Sequence, residues 1–326
     1  MCGHCGCGDK RGATVLNLQT GKEIDMSGHS HHDDHSHDHA HHLKHDHLLG
    51  DGVMHSHDHH HPHDGPHDHH HGHDHVHADG TRHSHSHAAH DDHSVEHRHD
   101  HAAGSLIELE TRILARNDAL AAKNRAWFAG REILALNLVS SPGSGKTTLL
   151  EHTIRDLSAE LKIYVVEGDQ ATANDGERIR AAGAPAVQVN TGTGCHLEAD
   201  MVARGLRELQ PGAGSVVMIE NVGNLVCPSM FDLGERAKVV ILSVTEGEDK
   251  PLKYPHMFRA AEIMVLNKID LLPHVDFDVS QAVTNARTVN PDITVFQLSA
   301  RTGEGLADWY GWLRRELSKA GEAVFA

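Results

Sequence analysis

Eight residues, Ser140-Ser141-Pro142-Gly143-Ser144-Gly145-Lys146-Thr147, restrict the fold more than any other stretch of this chain. They follow an apolar run from Ile133 to Val139 and precede Thr147-Thr148-Leu149-Leu150, which reads as the start of a helix. A strand, a glycine-rich loop and a helix in that order make a phosphate cradle. Backbone N–H groups of the loop and of the helix N-terminus surround the phosphates, Lys146 reaches the β and γ oxygens, and Thr147 offers a hydroxyl to Mg2+. Gly143, Ser144, Gly145, Lys146, Thr147 and Thr148 are the expected phosphate-binding residues. The strict pattern opens with glycine, where this chain has Ser140. A chance glycine-rich turn is the plain alternative, and the Lys-Thr pair between strand and helix argues against it.

The base is read further along. Ala261 to Leu266 has the look of a buried strand and runs straight into Asn267-Lys268-Ile269-Asp270. At a strand end, an Asn-Lys-x-Asp tetrad suits guanine. The Asp270 carboxylate accepts from the ring N–H and from the exocyclic amine, whereas adenine would leave it unpaired at a cost of a few kcal/mol, roughly. Lys268 packs its stem over the base. Ser299-Ala300-Arg301-Thr302-Gly303 follows an expected strand, Ile293 to Leu298, and fits a loop touching the guanine oxygen. GTP is the expected nucleotide.

Further strands are expected at Leu161 to Val166, Ala186 to Val189, Ser215 to Ile219 and Lys238 to Val244, alternating with helical stretches such as those from Leu197 and from Leu306 to Leu317. That alternation implies an α/β domain of the P-loop NTPase kind, a mostly parallel central sheet flanked by helices. Trp309, Tyr310 and Trp312 read as packing residues of the last helix. Asp169 lies just past the second strand, at the carboxyl edge where such sheets bind ligands, and is a candidate for positioning magnesium or the attacking water. Glu220 opens Glu220-Asn221-Val222-Gly223-Asn224, in the place of a GTPase Asp-x-x-Gly switch. Lys146, Asp169 and Glu220 are thus the expected catalytic residues. No Gln follows Gly223 and no arginine finger stands out, so intrinsic hydrolysis is expected to be slow. Ser105-Leu106-Ile107-Glu108 reads as a capping box opening a helix that carries Leu106, Leu109, Ile113, Leu114 and Leu120 and runs to Phe128.

Composition points to a metal. Of 36 His, all but His4, His152, His196, His256 and His274 fall between His29 and His101, interspersed with Asp, Ser and Gly. With so little branched aliphatic or aromatic surface the stretch is expected to be disordered without metal. Imidazoles beside carboxylates suit Zn(II), Ni(II), Co(II) and Cu(II). A solubilising tail is the plain alternative, but an expression tag would be shorter and purer in His. The formal net charge of -17 counts every His as neutral. At neutral pH it argues against nucleic acid as a partner. With no secretory signal and no long apolar run, a soluble cytoplasmic protein away from membranes is expected.

Five Cys do not suggest a disulfide framework. Cys2, Cys5 and Cys7 crowd the N-terminus among glycines, and three thiolates so spaced can converge on one ion, with His4 or the α-amine as a fourth ligand. Cys195-His196 follows Asn190-Thr191-Gly192-Thr193-Gly194, and Cys227-Pro228 lies a few residues beyond the Glu220 switch. Two Cys and one His from adjacent strand ends can bind a metal whose geometry depends on the nucleotide. They are equally well read as ordinary buried thiols.

In one order the chain carries an N-terminal Cys-x-x-Cys-Gly-Cys, the His tract, Ser-Ser-Pro-Gly-Ser-Gly-Lys-Thr, Cys-His, Glu-Asn-x-Gly-Asn-x-x-Cys-Pro and Asn-Lys-x-Asp. This combination resembles the HypB family of GTPases that deliver nickel in nickel–iron hydrogenase maturation. The resemblance covers the first eight residues and the chain from Leu106 onward. It implies a GTP-dependent homodimer with a shared Ni(II) or Zn(II) site built from Cys195, His196 and Cys227. It implies a tight nickel site at Cys2, Cys5 and Cys7, and a His tract serving as an accessory reservoir. The implied partners are a HypA-like nickel chaperone docking on the Leu106 helix and the hydrogenase large-subunit precursor. The domain organisation expected is a Cys motif at 1–10, a His-rich region at 11–104 and a GTPase domain at 105–326. A sibling GTPase for urease nickel or for zinc, and a protein chiefly storing metal, are the rival readings.

Overall fold

Seven apolar runs build the centre of the sheet. In this computed structural model, which describes residues 13–25, 44–48, 54–58, 72–76, 82–86, 101–169, 174–192 and 194–322, they are parallel strands. In chain order the strands of this sheet begin with β1 (Thr14–Asn17) and β2 (Glu23–Asp25). Within the His-rich stretch lie β3 (Lys44–Leu48), β4 (Met54–Asp58), β5 (Gly72–Val76) and β6 (Arg82–Ser86). The sheet resumes with β7 (Leu134–Ser140), β8 (Ile163–Asp169), β9 (Ala186–Asn190) and β10 (Val216–Glu220), then β11 (Ala237–Ser243), β12 (Ile263–Asn267) and β13 (Thr294–Gln297). The strand order is β13-β12-β11-β7-β10-β8-β9-β1-β2. Every residue of β7, β10, β11 and β12 is buried, as strands covered by helices on both faces require.

The helices are α1 (His101–Ala129), α2 (Lys146–Leu157), α3 (Asn174–Ala182), α4 (Ala199–Leu209), α5 (Cys227–Met230), α6 (Lys250–Lys253), α7 (Pro255–Ala260), α8 (Val279–Val289) and α9 (Leu306–Glu322). One face of the sheet packs Leu149, Leu150 and Ile154 of α2 with Trp309 and Leu313 of α9. The other packs Phe128 of α1 with Met201, Val202 and Leu206 of α4. Trp309 stacks on Trp312 with ring centres 5.4 Å apart, and its Nε1 donates to Thr153 Oγ1 at 3.1 Å, so the aromatic residues of α9 do pack. No helix among the described residues is long and apolar enough to cross a membrane.

Two local expectations are corrected, at residues 13–25 and at the start of α1. Residues 13–25 do not continue the His-rich region; β1 pairs antiparallel with β9 and β2 closes the hairpin, with Ala13 and Val15 buried. The alternation Thr-Val-Leu-Asn with a turn before Lys22 is a strand pattern hidden by its shortness. Regular structure also enters the His tract, in two hairpins pairing β3 with β4 and β5 with β6, because alternating His and polar residues has period two. Finally, α1 begins at His101, four residues ahead of the expected box at Ser105, since Ala102-Ala103 extend the helix backward. The chain divides into two compact units, one of residues 30–100 and one made of 1–29 and 101–326. Cys2, Cys5 and Cys7 lie outside the described residues, as does most of the His tract.

Candidate nucleotide and metal sites

The phosphate loop sits at the carboxyl end of β7, the middle one of the seven parallel strands. Gly145 takes φ +94°, a left-handed conformation, and a Cβ there would collide with Asn267 Nδ2. That close approach serves a purpose: Asn267 Nδ2 donates to Ser144 O at 2.8 Å, and Lys268 Nζ donates to Gly143 O at 2.7 Å. Lys268 itself has φ 64°, with its N–H donating to Asn267 Oδ1 at 2.7 Å. Ala300 N donates to the same oxygen at 2.9 Å, and Ser299 Oγ donates to Asp270 Oδ1 at 2.6 Å. The two expected motifs, Asn267 to Asp270 and Ser299-Ala300, therefore form one network with the loop.

Lys146 and Thr147 open α2. Thr147 Oγ1 donates to Glu220 Oε1 at 2.7 Å, and Lys146 Nζ lies 3.4 Å from the same oxygen. The Lys146 ammonium also donates to the Asn221 carbonyl. Glu220 Oε2 and Ser144 Oγ are buried with no protein partner. Two orphaned oxygens facing the cradle, one of them anionic, fit a divalent cation and a phosphate. Across the ladder Glu220 is paired in register with Glu167, a second buried carboxylate that the motif reading passed over. Asp169 ends β8 at the same edge. The Thr148 hydroxyl accepts from Arg178 Nη2 at 3.1 Å, so this residue is turned toward α3.

On the other side of β7, past β10, the Cys and His residues meet. Cys195 Sγ lies 2.9 Å from Cys227 Sγ and 3.7 Å from His196 Nδ1, and the three ligand atoms fall within 4.8 Å of one another. His196 is 3% exposed, stacks on Phe231 at 3.9 Å between ring centres, and leaves Nε2 without a partner. Burial depresses its pKa against the opposing charge of Glu198. Burial thus favours the neutral imidazole, which offers one ring-nitrogen lone pair to an ion. Two thiol sulfurs and a neutral imidazole suit borderline metals.

Asparagines that carried no signal in the motif reading frame this cluster. Asn117 and Asn124 stand two turns apart on one face of α1. Asn117 Oδ1 accepts from Ala199 N at 2.9 Å and its Nδ2 donates to Asp232 O at 2.7 Å. Asn124 Nδ2 donates to Ala199 O at 2.8 Å and to Leu233 O at 3.0 Å. The helix so bridges the segment after His196 and the segment after Cys227. Gly234, at φ +89°, brings its backbone against Ala121 and Asn124, where a Cβ would come within 2.5 Å of Ala121 O. Below α5, buried Lys238 donates to Pro228 O at 2.8 Å and Phe231 O at 3.2 Å, and its pKa is lowered by desolvation against the pull of Glu235. Two asparagines seven apart, on one face of a helix rich in Ala and Leu, could have revealed the pair. At the far end of α1, Leu109 and Ile113 are exposed.

A family model for the CobW/HypB/UreG nucleotide-binding domain matches residues 134–297. Over 220 residues the chain is 58% identical to the hydrogenase maturation factor HypB of Azotobacter chroococcum mcd 1, covering 66% of this chain and 72% of that one. The chain belongs to the HypB family. Its fold is shared with the crystal structure of the HypB hydrogenase maturation factor from Archaeoglobus fulgidus, at TM-score 0.59 and 40% identity over 62% of this chain and 99% of that one. It is equally similar to HypB from Helicobacter pylori in complex with nickel, at TM-score 0.59 and 38% identity over 63% and 96% of the two chains. This chain is accordingly a nucleotide-hydrolysing P-loop protein of the hydrogenase maturation factors.

Proposed function

We propose that this chain is a GTP-hydrolysing nickel metallochaperone whose nucleotide state sets the grip of the Cys195, His196 and Cys227 cluster on Ni(II). The carrying observation is the convergence of those three ligand atoms within 4.8 Å, Cys195 and His196 coming from the segment after β9 and Cys227 from the segment that begins at Glu220 of the phosphate site. Support for guanine comes from Asp270, steadied through one oxygen by Ser299. Lys146 pairs with the β and γ oxygens, Asp169 orients the attacking water, and backbone N–H groups of Gly143 to Thr148 hold the phosphates. Mg2+, held by Thr147 and Glu220, neutralises charge on the phosphates when bound. Water attacks the γ phosphorus as its bond to the β–γ bridging oxygen breaks; that oxygen leaves with GDP, and the protons of the water pass to the phosphate formed and to solvent. Ni(II) is cargo, and Zn(II) is a competitor for the same ligands.

The remaining assignments follow the family. Cys2, Cys5 and Cys7 form a tight nickel site, and the His tract between His29 and His101 stores nickel, while residues 13–25 belong to the sheet of the GTPase domain. A GTP-bound homodimer shares the inner metal site. Leu109 and Ile113 dock a HypA-like chaperone, and the hydrogenase large-subunit precursor receives the ion in the cytoplasm. Nickel affinity of the chain with GDP and with a non-hydrolysable GTP analogue tests the reading. At least a tenfold difference is expected; equal affinities overturn it, because a ligand shifts an equilibrium only by its differential binding. The abundance of His favours storage as a second role. If hydrogenase maturation survives Lys146→Ala while nickel tolerance depends on the tract, storage is the main one.

A further inference from the structure

The phosphate lysine and the metal loops meet at one residue. The Asn221 carbonyl accepts from Lys146 Nζ, while its N–H donates to Leu138 O at 3.0 Å and anchors it to β7. Its carboxamide reaches toward the metal side. Oδ1 accepts from Leu197 N at 3.1 Å and from Val222 N at 3.0 Å. Nδ2 donates to Asn137 Oδ1 at 3.2 Å. Asn137 Nδ2 in turn donates to Glu235 Oε1 at 3.0 Å, and Glu235 Oε2 accepts from Leu233 N at 2.7 Å. Leu197 directly follows Cys195-His196, and Leu233 lies two residues past the Phe231 ring that covers His196. Asn221 is 1% exposed, so these bonds carry the full cost of desolvation if broken.

We propose that Asn221 is the positioning residue through which the phosphates move the metal cluster. Phosphate oxygens and the Asn221 carbonyl compete for one ammonium. The bond to the Asn221 carbonyl has a charged donor and a neutral acceptor, whereas a bond to phosphate joins two ionised partners, so phosphate makes the stronger claim on the ammonium. Drawing Lys146 to the phosphates releases the Asn221 peptide, and the carboxamide carries that release to the Leu197 amide. The Cys195-His196 pair then shifts against Cys227. Gly223 keeps the segment after Asn221 packed on the phosphate loop, since a Cβ there would meet Pro142 at 3.3 Å. The inference rests on the proposed coupling of nucleotide to nickel and names the residue that transmits it.

The test uses the full chain carrying Cys2→Ser, Cys5→Ser and Cys7→Ser, so that the nickel–thiolate absorption band reports only Cys195 and Cys227. Nickel dissociation constants are measured by chelator competition, without nucleotide and with a non-hydrolysable GTP analogue. A ratio of at least tenfold is expected in this background, and less than twofold after Asn221→Ala. A tenfold ratio that survives Asn221→Ala overturns the inference and leaves the nickel reading intact. A ratio of one before that substitution overturns both. Should Asn221→Ala fail to fold, hydrogen exchange at the Leu197 amide of the unsubstituted chain decides. At least tenfold faster exchange with the analogue supports the relay, and unchanged exchange overturns it.

Discussion

On the β11–β13 side of the phosphate-loop strand, the loops are tied directly to the loop's own backbone. Asn267 and Lys268 hold the Ser144 and Gly143 carbonyls, and Asn267 holds Ala300. On the β10–β9 side, Cys195-His196 and Cys227 come from separate loops that are held by amide side chains of Asn117, Asn124 and Asn221. The base half is preorganised, because each anchor is a direct bond to the cradle. The metal half is adjustable, because its spacing depends on intermediaries that can trade partners. In the proposed function, such an arrangement would keep nucleotide selectivity constant while the grip on the ion changes.

Lys146 belongs to both halves, so Lys146→Ala has the largest expected effect. Loss of one preorganised donor to the transition state costs about 10²–10³-fold in kcat. Here GTP hydrolysis should fall at least that far in a single-turnover assay, with circular dichroism unchanged. Retained hydrolysis would remove Lys146 from the phosphate chemistry. Cys227→Ser comes next. Substituting a ligand should exceed the roughly 10–100-fold that outer partners cost in metal affinity. Chelator competition should show at least a 100-fold weaker inner nickel site with GTP-analogue affinity kept within threefold.

Asp270→Asn probes the base half alone. A charged hydrogen bond contributes about 1.5–3 kcal/mol, so guanine nucleotide affinity should drop about tenfold to a hundredfold while xanthine nucleotide affinity rises. Nickel affinity measured without nucleotide should stay put. A change there would deny that the halves are built independently.

The placement of the loop, the tetrad and Ser299-Ala300 was legible in the sequence because each sits at the end of a recognisable strand. Cys195, His196 and Cys227 were visible as residue types, but their convergence depends on β9 and β10 being separated by β8 alone, which no spacing reveals. Asn221 was read only as part of a switch, since its partners Leu197 and Asn137 are 24 and 84 residues away. Asn137 interrupts the apolar run of β7, and a lone polar residue in a buried strand is a sign of a partner across the sheet. The early start of α1 was missed because helix-forming Ala102-Ala103 outweighed a box motif four residues later.

A smaller effect follows Asn124→Ala, which strips a donor from Ala199 O and Leu233 O at once. Leaving buried carbonyls unsatisfied costs about 1–3 kcal/mol. Chemical denaturation of the metal-free chain should show that loss, and nickel affinity should fall alongside it. If stability drops while nickel affinity holds, α1 merely supports the fold.

The smallest expected effect is a pH slope. His196 has its pKa lowered from 6.5, first by burial. The unfolded chain therefore takes up a proton that the folded site resists, and the stability from the neutral buried ring is fully present above 6.5. It is lost as pH falls from 6.5 toward the depressed native value. The histidines of the tract do not reproduce this slope unless they too are buried on folding. Denaturation of the metal-free chain between pH 7.5 and 5, at about 0.5-unit steps, should show stability falling with acid, and His196→Gln should flatten part of that fall. An identical slope in the variant would mean that the ring between Cys195 and Phe231 opens to solvent before it is asked to take a proton, and the metal half would then be looser than the hydrogen bonds of Asn117 and Asn124 imply.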